Sequence, residues 1–145
     1  MKFMVIVRAT QASEAGQLPS TEMLSAMGNF NEEMVKAGVM RAGEGLHPTS
    51  RGARIVFEEN SDRRAVVQGP FSDLDRLIAG FWIIEAKNLE EAIGWMSRCP
   101  NPYEKASGEI EIRQIFDLAD FEAVLTPEIE AQQERLGAEI NKYAN

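Results

Sequence analysis

The chain opens with MKFMVIVRA, where Phe3, Val5 and Val7 alternate with Met4 and Ile6. Both faces are apolar at the centre, as expected of a strand buried on both sides. Residues 10–19 turn polar, contain Gly16 and Pro19, and are expected to form a loop. Ser20 then offers an N-cap with Glu22 in the first turn, and Met23, Met27, Phe30 and Met34 follow, joined by Leu24 and Val35. Their spacing predicts one stripe of an amphipathic helix, which Gly38 closes as a C-cap. Residues 39–46 (VMRAGEGL) read as extended, and Gly43 and Gly45 suggest a bulge or a close backbone approach.

Residues 54–58 and 64–68 predict a hairpin, with Asn60 and Asp62 as turn formers and Gly69 and Pro70 breaking its second arm. Residues 80–86 (GFWIIEA) are again apolar on both faces. Asn88 is placed to cap the next helix, with Glu91 reaching back as in a capping box. Leu89, Ala92, Ile93 and Met96 form its expected buried stripe, and Pro100 stops it. Residues 109–115 (EIEIRQI) alternate, which puts Ile110 and Ile112 inward and Glu109, Glu111 and Arg113 outward. A last helix starts with Thr126 as N-cap and Pro127 at its first position; Ile129, Leu136, Ile140 and Tyr143 give it a narrow apolar seam.

The order is strand, helix, strand, hairpin, strand, helix, strand. It predicts an α+β, ferredoxin-like fold: a β-α-β repeat with an antiparallel sheet, plus a C-terminal helix. Helices in that fold cover one sheet face only. The two strands that are apolar on both faces therefore need a second cover, and a homodimer packed sheet to sheet supplies it, with the last helix as a candidate swapped arm.

Composition narrows the classes. A chain of 145 residues with 44% apolar and 26% charged positions is one ordinary globular domain's worth. Its net charge of −8 argues against direct nucleic-acid binding, which needs a basic face. The first apolar run is too short for a signal-peptide core or a membrane span, and a single free Cys suits the cytoplasm; no membrane association is expected. The acidity is concentrated in residues 117–145, where Asp117, Asp120, Glu122, Glu128, Glu130, Glu134 and Glu139 face only Arg135 and Lys142.

The segments AGEGLHPTSRGARIVF (42–57), QGPF (68–71), LIAGFWIIEAKNLEEAIGWMSRCP (77–100) and GEIEIRQI (108–115) together resemble the YciI-like, or DGPF-domain, family. The resemblance spans residues 1–121 as one domain and leaves 122–145 as an acidic helical extension. It implies a dimeric α/β-barrel type of fold in small bacterial cytoplasmic proteins. Some such relatives are linked with extracytoplasmic-function sigma factors, and a few eliminate chloride from an aromatic ring. The family's Asp-Gly-Pro-Phe begins here with Gln68, and its Lys-Glu order is reversed at Asp75 and Arg76. The chloride-eliminating relatives are thought to use a His–Asp pair with the His in the first helix region. No His lies between Ser20 and Gly38 here, so that activity is not carried over.

His47 is the sole histidine and a candidate general acid or base, with Glu44 three residues earlier as an orienting carboxylate; the bland alternative is a His bonding loop backbone. Gln68, Ser72 and Asp73 are candidate ligand contacts at a pocket mouth, although the structural account, with Gly69 and Pro70 as turn formers and Phe71 as an anchor, is the favoured one. Arg8 and Glu85, at the ends of the two central strands, either meet across the sheet or grip a carboxylate ligand. Cys99 reads as structural rather than nucleophilic. No cofactor and no metal site is expected, since one His and one Cys leave only carboxylates as ligands. Three readings follow. The first is a homodimeric small-molecule-binding or regulatory module whose cleft between sheets takes an apolar or aromatic ligand. The second is an enzyme doing proton-transfer or elimination chemistry with His47 and Glu44. The third is an interaction protein of a sigma-factor system.

Overall fold

Strand β1 (Lys2–Arg8) lies at the centre of a four-stranded antiparallel sheet in the order β2-β5-β1-β6, formed with β2 (Met40–Gly45), β5 (Ile78–Glu85) and β6 (Ile110–Gln114). The computed structural model describes residues 1–143, and its chain divides into two compact units, Met1–Gln114 and the segment from Ile115 onward. In the first unit α2 (Thr21–Lys36) connects β1 to β2 and α3 (Leu89–Met96) connects β5 to β6, so the expected ferredoxin-like α+β topology is realised. Strands β3 (Ala53–Phe57) and β4 (Arg64–Gln68) form a separate two-stranded sheet inserted between β2 and β5.

The register explains which face is core. Phe3 pairs with Ile84 and Val5 with Trp82 on one side, and Val5 pairs with Ile112 on the other. These residues and Phe30, Met34, Ala92 and Met96 from the two helices make one cluster, in which Phe3, Val5, Met34 and Ile84 are fully buried. Trp82 is held by its indole N–H donating to Asn31 Oδ1 at 2.9 Å, which satisfies the one polar atom that a buried Trp brings inside.

The caps follow the residue chemistry. Ser20 accepts from Met23 N–H at the start of α2, and Asn88 Oδ1 accepts from Glu91 N–H at the start of α3. Glu91 reaches back one residue further than a capping box requires and accepts from Lys87 N–H. Gly38, at φ 72°, takes the left-handed position just after α2.

Three expectations need correction. Residues 10–19 are not all loop, because Thr10 and Ser13 form a reciprocal capping box that starts the short helix α1 (Gln11–Glu14). Leu24 and Val35 do not join the buried stripe of α2 and are 60% and 59% exposed, so the stripe is narrower than its apolar content implied. Leu89 and Ile93 are also about half exposed on α3, where Ala92 and Met96 supply the buried contacts.

In the second unit, a 3-10 turn over Leu118–Val124 precedes α4 (Pro127–Tyr143). Asp117 and Asp120 cap that turn reciprocally, and Thr126 Oγ1 accepts from Ile129 N–H at the start of α4.

Candidate functional site

The predicted site residues fall into two groups, which share no ion pair or hydrogen bond among the described residues. The first group lies on the sheet face opposite the two helices. There Ile6 stands beside Phe81 and Met4 beside Ile83, and all four are half-buried. Glu44 pairs with Phe81 from β2, and Glu111 pairs with Ile6 from β6. An apolar stripe two strands wide is therefore flanked by carboxylates on both outer strands.

Arg8 and Glu85 do not meet across the sheet. Antiparallel pairing puts Lys2 opposite Glu85 and Arg8 opposite Ile78, so the two charges lie at opposite ends of the strand pair. Arg8 Nη2 instead sits 3.4 Å from Glu111, and Glu85 is bonded by Arg41 Nε at 2.7 Å. Tyr103 pins the end of β1: its hydroxyl accepts from Arg8 N–H at 3.0 Å and donates to the Glu109 carbonyl at 2.6 Å. Burial pushes the Tyr103 phenol above its ordinary value.

The second group gathers around the base of the hairpin. Residues 49–51 form a 3-10 turn directly after His47 and Pro48. Gly69 N–H donates to the Gly52 carbonyl at 2.9 Å, and a Cβ on Gly69 would stand 1.7 Å from the Thr49 carbonyl oxygen, so only glycine fits. Glu14 on α1 closes this junction. Its carboxylate accepts from Thr49 N–H at 3.2 Å and from Thr49 Oγ1 at 2.6 Å. Thr49 Oγ1 in turn accepts from Phe71 N–H at 2.9 Å. Three segments that are distant in sequence are thus tied through one threonine hydroxyl. Glu14 and Thr49 were not among the predicted residues, and no short motif marks them, because their relation exists only after the chain folds.

Asp73 belongs to the same junction. Both its oxygens accept from Arg54 Nη2 at 3.0 Å, and Arg76 stands 3.2 Å away. The Arg54 hydrogen bond, which outweighs desolvation, holds the Asp73 carboxyl below its ordinary value. Arg54 also stacks on the Phe71 ring at 3.8 Å. Gln68 and Ser72, both exposed, flank this cluster in sequence.

His47 does not pair with Glu44 among the described contacts. Its Nε2 lies 3.0 Å, and its Nδ1 3.4 Å, from Arg51 Nη1. A guanidinium can only donate, so a ring nitrogen that bonds it does so with its lone pair. Cys99 is partly buried, bonds the Pro100 carbonyl, and is pushed up to about 11 by desolvation, which suits a structural thiol.

Two clefts lie elsewhere. One, of about 220 Å³, is lined by Met96, Cys99, Tyr103 and Ile110 among others. The other, of about 530 Å³, lies within the second unit. Among the described residues no cluster of three or more His, Cys, Asp or Glu is placed to hold a metal, and no helix is long and apolar enough to cross a membrane.

No curated protein matches the chain. Among solved structures it is similar to the 5-chloro-2-hydroxyhydroquinone dehydrochlorinase of Burkholderia phenoliruptrix, in complex with 2,5-dihydroxybenzoquinone. That likeness has 12% identity and a TM-score of 0.46, and covers 83% of this chain and 98% of that one. The profile of the YCII-related domain matches residues 1–119. With that span covering most of the chain, the protein belongs to the YCII-related domain family.

Proposed function

We propose that this protein is a cytoplasmic, homodimeric small-molecule-binding or regulatory module, in which the open sheet faces of two copies enclose a small apolar or aromatic ligand. The observation that supports the reading is the face itself. Met4, Ile6, Phe81 and Ile83 are half-buried there on the face away from α2 and α3, and Glu44, Arg8 and Glu111 stand at the sides. A second copy would cover the apolar stripe, and the flanking charges would orient polar groups of the ligand.

Native mass spectrometry of protein purified from its host tests this directly. The expected result is a multimer with added mass, and an Ile6→Glu variant that loses the sheet-to-sheet contact and carries no added mass. A wild-type monomer would overturn the reading.

The geometry favours this module over an enzyme that uses His47 and Glu44. The described contacts set His47 against Arg51 rather than Glu44, so a proton transfer to the bonded ring nitrogen would first have to displace the guanidinium. The sigma-factor reading rests on the family resemblance together with the acidic extension, and it is tested by whether pull-down of such a factor survives truncation after Leu118.

A further inference from the structure

Helix α4 contains no buried residue, although its sequence carries a clear apolar stripe. Ile129, Leu136, Ile140 and Tyr143 are 40%, 48%, 66% and 83% exposed. At about 100° per residue, their spacing puts all four within an arc of roughly 60°. A helix of this kind draws most of its stability from covering that stripe.

Beside its N-terminal half runs the 530 Å³ groove, lined by Phe116, Phe121, Val124, Leu125 and Ile129 among others. Phe116 and Val124 at its edge are 72% and 71% exposed. Stripe and groove together present on the order of 800 Å² of apolar side chain, about what one partner contributes to a standard stable interface.

Charge decides between occupants. The first half of α4 carries Glu128, Glu130 and Glu134 and no base, whereas the second half carries Arg135 and Lys142 against Glu139. A parallel pair of copies would set the acidic halves against each other. An antiparallel pair sets each acidic half against the half that holds the two bases. The Lys142–Glu139 pair within the helix is exposed, so giving it up for a contact across the interface costs little. The stripe also has a centre, because Leu136 stands seven residues from both Ile129 and Tyr143.

From this we infer that two copies pair antiparallel through α4 about a two-fold axis at Leu136, with Ile140 and Tyr143 of the partner subunit filling the groove beside Ile129. The interface is isologous, so both grooves are filled at once. It is distinct from the sheet-to-sheet contact proposed above and does not depend on it.

Cysteine cross-linking of the full chain in a Cys99→Ser background tests the pairing and its direction. Under mild oxidation, Leu136→Cys is expected to form a covalent dimer with itself. Ile129→Cys alone and Tyr143→Cys alone should not, whereas an equal mixture of the two should. Adding Leu136→Glu to both members of that mixture should abolish the cross-link and leave unfolding monitored at the buried Trp82 unchanged. Self-cross-linking of Ile129→Cys would mean a parallel pair and overturn the proposal. So would the absence of any covalent dimer, which would mean that the chain's own surface or solvent covers α4.

Discussion

Thr49→Val removes one hydroxyl at nearly constant volume, and that hydroxyl holds three segments together. Two losses follow. The bond from Thr49 Oγ1 to the Glu14 carboxylate, 2.6 Å long, is charge-assisted and contributes about 1.5–3 kcal/mol. The Phe71 N–H also loses its acceptor, and an unmet backbone donor costs about 1–3 kcal/mol when buried. The junction is only partly buried, so water recovers some of the second loss, and a net destabilisation of about 3 kcal/mol is expected. With a urea m-value of about 2 kcal/mol/M this lowers the unfolding midpoint by roughly 1.5 M. Tryptophan fluorescence is the suitable probe, because both tryptophans, Trp82 and Trp95, lie in the first unit. Thr49→Ser keeps the hydroxyl and should lose less than about 1 kcal/mol. If Thr49→Val changed stability by less than about 0.5 kcal/mol, as an ordinary surface substitution does, the junction would not be tied through this hydroxyl.

Three further outcomes follow from the same contacts. Because the Asp73 carboxyl is held below its ordinary value in the folded chain, its contribution is fully present above about pH 4 and is lost as pH falls through the folded value; acid titration of stability should therefore be shallower in Asp73→Asn than in the wild type. The Tyr103 phenol is shifted the other way, so its contribution is present below the ordinary tyrosine range and is lost as pH rises through the folded value. Tyr103→Phe should cost about 1–2 kcal/mol at pH 7, read by urea unfolding, and should flatten the alkaline limb. With its thiol pushed up to about 11, Cys99 should react with a thiol reagent at pH 8 roughly a hundredfold more slowly than a small free thiol, and at an ordinary rate once the chain is unfolded in urea.

The candidate site was legible only in part. Gln68, Ser72 and Asp73 are marked in the sequence by a Gly-Pro turn next to polar residues, and Asp73 sits in an ion-paired cluster. His47 and Glu44 looked like partners because three residues separate them. Glu44, however, is still in β2 opposite Phe81, while His47 lies beyond the end of that strand and meets Arg51. Sequence distance is a poor guide where a strand ends, since its alternation no longer fixes which way the later side chain points. Glu14 carries no local signal for the opposite reason, because its partner Thr49 is 35 residues away.

The elements themselves were determined locally. Alternation over Phe3, Val5 and Val7, the N-caps Ser20, Asn88 and Thr126, the left-handed Gly38 and the breaks at Gly69 and Pro100 are short-range effects of side-chain size, capping and backbone freedom, and each marks the element it implied. The order of those elements was enough to specify the ferredoxin-like sheet, because short right-handed connections leave few other ways to assemble them. What only the tertiary structure decided was the pairing of charges and the depth of burial. Arg8 found Glu111 rather than Glu85, and Leu24 and Val35 stayed outside the core, because strand register and helix rotation set those relations and both depend on the whole packed layer.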